Sequence, residues 1–268
     1  MAMNKYLLSG LLLLIFALLV WTLWGNSALT VTHYRTQSQK LPAPFYGFTI
    51  AQVSDLHNTR FGKDNRKLLD ALENAKPQLI AIIGDLVDSR RTDPEVAVAF
   101  AREAVRIAPV YYVPGNHESR IPEIYGPLKD ALADLGVVIL ENKQARIEKD
   151  GQTIGLIGLT DPNFGIAWPA FSTDGYQVVL SHRPERFAQY ADRGYDLVLT
   201  GHAHGGQIRL PWLGGLFAPH QGLLPEYDAG MHTQQNTTMV VSRGLGNSAF
   251  PLRFNNRPEV VVITLESL

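Results

Sequence analysis

Five short segments of this chain gather residue types that bind metals or move protons. In order they are Asp55-Leu56-His57, Gly84-Asp85-Leu86-Val87-Asp88, Gly115-Asn116-His117-Glu118, Ser181-His182-Arg183-Pro184 and Gly201-His202-Ala203-His204-Gly205-Gly206. Imidazole together with carboxylate suits manganese, iron, zinc or cobalt, and not the all-oxygen cage of calcium. The donors are too many for one tetrahedral ion. They suffice for two ions about 3.5–4 Å apart that share a carboxylate. Such a pair lowers the pKa of a bridging water and clamps the non-bridging oxygens of a phosphoryl group. That chemistry needs no serine or cysteine nucleophile. The chain has no cysteine at all, which also excludes disulfides and thiolate zinc sites.

Taken singly, most of these segments are ordinary. Asp55 could cap a helix and His57 could lie on the surface. Gly84-Asp85 and Gly115-Asn116 are common turn pairs. His182 could be a core histidine, and Asp88 reads better as a support than as a ligand. Gly201 to Gly206 is harder to dismiss: on an extended chain His202 and His204 point the same way, and glycines let the backbone pass close to an ion. What makes the set informative is placement, since each segment follows a strand.

The elements predicted around these segments alternate. Strands are expected at Phe48–Val53, Leu79–Ile83, Val110–Val113, Gln177–Leu180, Leu197–Leu199, Thr238–Ser242 and Glu259–Leu265, several as continuous apolar runs typical of buried parallel strands. Helical spacing marks Lys67–Ala75, Pro94–Arg106, Ile121–Leu135 and Pro184–Tyr190. Asp150-Gly151 between two strand-like runs signals a hairpin. The class is therefore α/β, with mixed sheets flanked by helices. In open α/β sheets ligands bind at the carboxyl ends of strands, which is where the five segments would converge.

Residues 1–28 are a separate object. Tyr6–Gly25 carries no charge over twenty residues, enough for a helix of about 30 Å, the thickness of a bilayer core. Trp21 and Trp24 sit near one end, as interfacial indoles do. A cleaved signal peptide is the rival, with Lys5 as its positive start and Ser27-Ala28 near a cut. The apolar run exceeds the usual signal core of about 7–15 residues, which favours an uncleaved anchor. The short amino-terminal tail with Lys5 is expected to stay inside, leaving the rest of a single-pass protein outside the cytoplasm. Residues 29–44 read as a linker, with an extended stretch around Leu29–His33, and residues 45–268 as the catalytic domain.

Lys and Arg number 24 and Asp and Glu 25, a net charge of -1, which speaks against a nucleic-acid partner and a nuclease. Hydrophobic residues at 46% and charged residues at 18% exclude a disordered or collagen-like chain.

Asp55-x-His57, Gly84-Asp85-x-x-Asp88, Gly115-Asn116-His117-Glu118, His182 and Gly201-His202-x-His204 together resemble, in order, the five motifs of the calcineurin-like metallophosphoesterase family. The stretch Ser242-Arg243-Gly244-Leu245-Gly246, with Pro251-Leu252-Arg253-Phe254 and Arg257-Pro258-Glu259, resembles a bacterial branch of membrane-anchored or exported phosphodiesterases. Some of that branch act on a diacylglucosamine nucleotide diphosphate. The resemblance implies a four-layer α/β/β/α sandwich of two mixed sheets. It implies two divalent ions per chain (Mn, Fe or Zn, with Mn favoured), one held by Asp55, His57, Asp85 and His204 and the other by Asp85, Asn116, His182 and His202. His117 would face substrate as the catalytic residue, and Asp88 and Glu118 would orient their neighbours. Ser89-Arg90 after Asp88, in place of Arg-Gly, speaks against the protein-phosphatase branch.

Leu210–Leu224, LPWLGGLFAPHQGLL, is unusually apolar for a segment beside a polar site. It could fold back on the core, or it could present Trp212, Leu213, Leu216 and Phe217 to acyl chains. Arg60, Arg183 and Arg209 lie near the motifs and could hold a second phosphate or a carboxylate. The expected function is a dimetal phosphoester hydrolase, a phosphodiesterase or diphosphatase acting on a membrane-associated or lipid-linked phosphoester. The sharper enzymatic alternative is UDP-2,3-diacylglucosamine diphosphatase. The alternative from another class is a membrane-tethered metal-binding or partner-recruiting domain without catalysis.

Overall fold

A computed structural model describes residues 5–268; residues 1–4, most of the short tail expected to stay inside, lie outside the described residues. Helix α1 (Lys5–Ser27) contains the expected apolar run, and none of its span is buried against the rest of the chain. By length and composition it is able to cross a membrane.

The chain then runs β1 (Thr30–Gln37), β2 (Thr49–Val53), α2 (Arg66–Ala75), β3 (Leu79–Ile83), α3 (Pro94–Ile107), β4 (Val110–Val113), α4 (Asn116–Ser119), α5 (Pro122–Asp134) and β5 (Val138–Ile139). It continues with β6 (Lys143–Lys149), β7 (Gln152–Leu159), β8 (Gln177–Ser181), α6 (Phe187–Asp192) and β9 (Leu197–Thr200). Two small hairpins follow, β10 (Arg209–Leu210) with β11 (Gly214–Gly215), and β12 (Phe217–Ala218) with β13 (Gly222–Leu223). The last strands are β14 (Gly230–Gln234), β15 (Thr237–Val241) and β16 (Glu259–Glu266).

Two six-stranded mixed sheets result, ordered β1-β16-β2-β3-β4-β5 and β14-β15-β9-β8-β7-β6. The strands β2, β3, β4 and β5 are parallel, as are β7, β8, β9 and β15. The apolar run of β3 is buried along its whole length because both of its faces are covered. Ile50, Ile83 and Val113 of the first sheet meet Leu156, Val178 and Leu199 of the second in the central layer. On the outer face of the first sheet, Leu68 and Leu72 of α2, Phe100 of α3 and Leu132 of α5 cover Ile80 and Ile82. On the outer face of the second, Phe187 and Tyr190 of α6 cover Val179, Val198 and Met239. This is the four-layer α/β/β/α sandwich.

One expectation is corrected. Thr30–Gln37 is no free tether but an edge strand, paired in parallel with all eight residues of β16. Its sequence TVTHYRTQ is polar because one face stays wet; the extended stretch expected around Leu29–His33 covers its first residues, but its partner lies more than two hundred residues away, so no local pattern announces the pairing. Arg257 seals the junction. Its Nε donates to the Ala28 carbonyl at 2.8 Å, and its guanidinium sits 5.0 Å from the Trp24 ring centre. Helix α1 therefore enters the domain directly.

Candidate metal centre and substrate cavity

The parallel strands β2, β3, β4, β8 and β9 all deliver their carboxyl ends to one edge of the sandwich, and each is followed by one of the five polar segments. Backbone turns aim the donors inward. Asp55, His57, Asp85, His202 and His204 all adopt positive φ, a costly conformation for residues other than glycine that persists where the surroundings enforce it. Gly84 shows why its neighbourhood is crowded. Its φ is +71°, and a Cβ there would lie 2.6 Å from Gly115 Cα and 2.8 Å from His182 Nδ1.

Four close groups of candidate donors form among the described residues; His57, Asp88 and His117 make one, Glu185, His202 and His220 another, and the remaining two hold the expected ligands. Asp55, His57 and His204 are one; Asp85, His182 and His202 are the other; all six are buried. His57 Nε2 and His204 Nε2 stand 3.3 Å apart, and His204 Nε2 is 3.4 Å from Asp55 Oδ1. The Asp85 carboxylate lies between the clusters, its Oδ2 being 3.1 Å from His182 Nε2 and 3.7 Å from His57 Nε2. Asn116 is buried beside them, and its side-chain oxygen has no hydrogen-bond partner.

Burial pushes the His57 and His204 pKa values down to about 3 and holds His202 well below the ordinary imidazole range. These rings are therefore neutral, the form that offers a lone pair to a metal. His182 behaves differently. Burial opposes its charge, but the adjoining Asp85 overrides that and raises it to about 10, while Asp85 is held well below the carboxylate range. A cation there would take over the role of the His182 proton. Buried carboxylates, neutral imidazoles and the unpartnered Asn116 oxygen fit a pair of divalent ions.

The supports are equally specific. Glu118 accepts the backbone N–H of Asp85 at 2.9 Å, of Gly115 at 2.8 Å and of Val87 at 3.3 Å, so one carboxylate fixes the β3 and β4 loops together. Asp88 accepts the Arg90 N–H at 2.8 Å and lies 3.9 Å from His117 Nδ1. The Ser89 N–H reaches His117 Nδ1 at 2.9 Å. A backbone N–H can only donate, so Nδ1 accepts and Nε2 carries the proton of the neutral ring. His117 Nε2 lies 3.1 Å from Ser248 Oγ and 3.4 Å from Arg120 Nη1, on the wall of a cavity of about 230 Å³ that also reaches Asp85, Asn116, His202 and His204.

The arginines singled out by sequence are engaged elsewhere. Arg60 is exposed and pairs with Asp93 at 2.9 Å; Arg209 pairs with Asp228 at 3.0 Å. Neither lines the cavity. Arg183 is buried against Asp161, with Nε donating at 2.5 Å and Nη2 at 3.2 Å, and its Nη1 lies 3.0 Å from His202 Nε2 and 2.7 Å from His220 Nδ1. In the apolar loop, Phe217 lines the cavity and is exposed, while Trp212 projects fully into solvent on the β10–β11 turn and does not line it. Leu213 is exposed as well, whereas Leu216 is half-buried and Ala218 packs into the core, so the loop folds back only in part.

Sequence reasoning missed several contributors. Asp161 follows β7 as Asp55 follows β2, and that shared position was a usable signal. Arg253 is the largest fully buried side chain. It donates to Asn247 Oδ1 and to the carbonyls of Arg243 and Gly246, and its Nη2 is 3.3 Å from His204 Nδ1. Burial lowers its pKa to about 10. Its backbone N–H donates to the side chain of Asn26, near the end of α1, at 2.8 Å.

Comparison with known proteins finds metallophosphoesterases among the similar chains. The chain is 29% identical over 248 residues to the metallophosphoesterase YkuE of Bacillus subtilis, covering 88% of this chain and 85% of that protein. It is 30% identical over 226 residues to the phosphodiesterase YaeI of Escherichia coli, covering 81% and 82%. A transmembrane protein with a metallophosphoesterase domain from Danio rerio is 26% identical, with 85% of this chain matching 55% of that one. Among solved structures, the sulfate thiohydrolase SoxB of Thermus thermophilus shares the fold at a TM-score of 0.51 and 14% identity, covering 84% of this chain and 57% of that one. The model of the calcineurin-like phosphoesterase family matches residues 48–206, more than half of the chain. The chain belongs to the calcineurin-like phosphoesterase family, a family of dimetal-dependent phosphoester hydrolases.

Proposed function

We propose that this protein is a membrane-anchored phosphodiesterase or diphosphatase acting on a lipid-linked phosphoester. The observation that carries the chemistry is the Asp85 carboxylate standing between two buried donor clusters. In this reading Asp55, His57, Asp85 and His204 hold one ion, and Asp85, Asn116, His182 and His202 hold the other. When bound, the ions supply a water of lowered pKa and neutralise charge on the phosphoryl oxygens.

The remaining steps belong to the chain. The cavity wall presents His117 Nε2–H toward bound phosphate, where it donates to a phosphoryl or leaving-group oxygen as charge builds there. The Ser89 N–H on Nδ1 keeps that tautomer in place. Glu118 prevents the Asp85 and Gly115 loops from drifting apart, and Arg183 and Arg253 brace His202 and His204 from behind.

The lipid reading has separate support. Asn26, at the end of the apolar α1, donates to the Arg253 carbonyl at 2.8 Å and accepts from Asn247 at 3.0 Å. Asn247 immediately precedes Ser248–Phe250, which line the cavity. An anchor fixed this close to the cavity brings membrane phosphoesters to it at high local concentration. Exposed Phe217, Phe250, Leu223 and Leu224 supply an apolar rim.

The test is hydrolysis by the full-length protein loaded with manganese, iron or zinc. Bis(p-nitrophenyl) phosphate and a phosphodiester-headgroup lipid in mixed micelles are the substrates. Release of product from both, and faster turnover of the lipid, is expected. A fully metallated protein that hydrolyses no diester overturns the phosphodiesterase reading. Fusing topology reporters after Leu268 separates the lipid candidates. An active site inside the cytoplasm favours a nucleotide-linked diacylglucosamine, and one outside favours envelope lipids and surface polymers.

A further inference from the structure

Two arginines that no motif contains converge on the proton-bearing nitrogen of His117. Arg120 Nη1 lies 3.4 Å from His117 Nε2. Arg90 Nη1 donates to Ser248 Oγ at 3.0 Å, and that hydroxyl is itself 3.1 Å from the same Nε2. Both guanidiniums line the 230 Å³ cavity. Arg60, Arg183, Arg209 and Arg243 each pair with a carboxylate. Among the described residues, Arg90 and Arg120 have no ion pair, and both stand exposed at the cavity wall.

Two positive groups facing one cavity without an acidic partner repel one another, and the arrangement is relieved by a shared anion. One phosphoryl group already has the donor clusters on the cavity floor. The arginines stand beside His117, Arg120 directly and Arg90 through Ser248. The same lining includes Phe217, Pro219 and Phe250. The substrate that fits has three parts: a phosphoester over the donors, a second oxyanion a few atoms away, and an apolar portion against the aromatic side.

We infer that Arg90 and Arg120 form a subsite for a second anionic group of the substrate, a phosphate or a carboxylate, and so set which phosphoesters are hydrolysed. This rests on the phosphodiesterase reading above and narrows it to polyanionic esters. A guanidinium suits the task because its planar fork holds an oxyanion through two hydrogen bonds.

The experiment compares three chromogenic diesters that differ only at one end: p-nitrophenyl propyl phosphate and its 3-phosphonopropyl and 3-carboxypropyl counterparts. The metallated full-length protein is expected to favour at least one anionic ester by about tenfold in kcat/KM, as charge-assisted contacts of this type allow. Comparing the phosphono and carboxy arms identifies the anion. In Arg90→Gln/Arg120→Gln the preference is expected to fall to within about twofold of unity, with Arg90→Lys/Arg120→Lys between the two. A wild-type protein that treats the three esters alike overturns the inference, as does a preference that survives in the double Gln variant. Calorimetric titration with propyl phosphate and 1,3-propanediol bisphosphate reads the subsite without turnover. If no ester is hydrolysed, the phosphodiesterase reading fails, while tighter bisphosphate binding that the Gln variant loses still upholds the subsite. Equal binding of both ligands removes it.

Discussion

The floor of the site and its rim are built by opposite rules. On the floor every donor is buried and held from behind. Glu118 fixes Asp85 and Gly115, the Ile83 carbonyl faces His182 Nδ1 at 2.8 Å, and Arg183 and Arg253 touch His202 and His204. The rim is made of Leu210–Leu224 and the Asn247–Leu252 loop, where Trp212, Phe217, Phe250 and Leu252 are exposed. Metal chemistry fails when a ligand moves by a fraction of an ångström, so the floor is placed on strand ends and over-determined. Recognition of a substrate body tolerates looser contacts and resides on loops.

The largest effect is expected where the two clusters meet. Asp85→Asn keeps the shape but removes the charge that both clusters share. Turnover of a small diester is expected to fall by about a thousandfold or more, with metal content reduced, as elemental analysis of the purified protein would show. A variant that keeps both ions and its rate would mean that Asp85 does not link the clusters. His117 stands at the boundary between floor and rim. His117→Asn is expected to cost about 100- to 10,000-fold in kcat, the range for loss of a positioned proton donor, with metal content unchanged. Metal loss in that variant would instead make His117 a ligand.

The same contrast governs what was legible in the sequence. β3 and β4 are read correctly from their apolar runs, and the β6–β7 hairpin from Asp150-Gly151, because the cause of each is local. The convergence of the floor residues is legible too, since each segment follows its strand directly. The edge strand β1 is legible only as the extended stretch around Leu29–His33; its pairing is not, because its partner β16 lies at the far end of the sequence. Arg253 is not either: its meaning comes from His204, which only the assembled fold sets beside it. At the rim, sequence proximity to motifs pointed to Arg60 and Arg209, whereas Arg90 and Arg120 are the arginines that line the cavity. Neighbourhood along the chain does not reveal on which side of a loop a long side chain emerges.

Arg253 offers a smaller test of how far the over-determination extends. Arg253→Met preserves much of its length but leaves the Arg243 and Gly246 carbonyls and Asn247 without their donor. Metal affinity is expected to weaken by about 10- to 100-fold, as for other residues that brace a ligand. Stability is expected to drop by about 2–4 kcal/mol from the buried groups left unsatisfied, read as a lower Tm. An unchanged affinity would confine Arg253 to a structural role and shrink the floor to its ligands.

The smallest effect is expected at the rim. Trp212 and Phe217 are exposed, so replacing both with serine removes little packing from the fold. If the rim only shields the site from water, a soluble diester and a lipid-linked one lose activity equally. If it meets acyl chains, the Trp212→Ser/Phe217→Ser variant loses about three- to tenfold more on the lipid in micelles or vesicles than on bis(p-nitrophenyl) phosphate, through KM more than kcat. The separation of KM from kcat is the decisive part. A rim that serves encounter leaves the chemistry on the floor untouched once substrate is seated, whereas a rim that helps build the floor lowers kcat on both substrates alike.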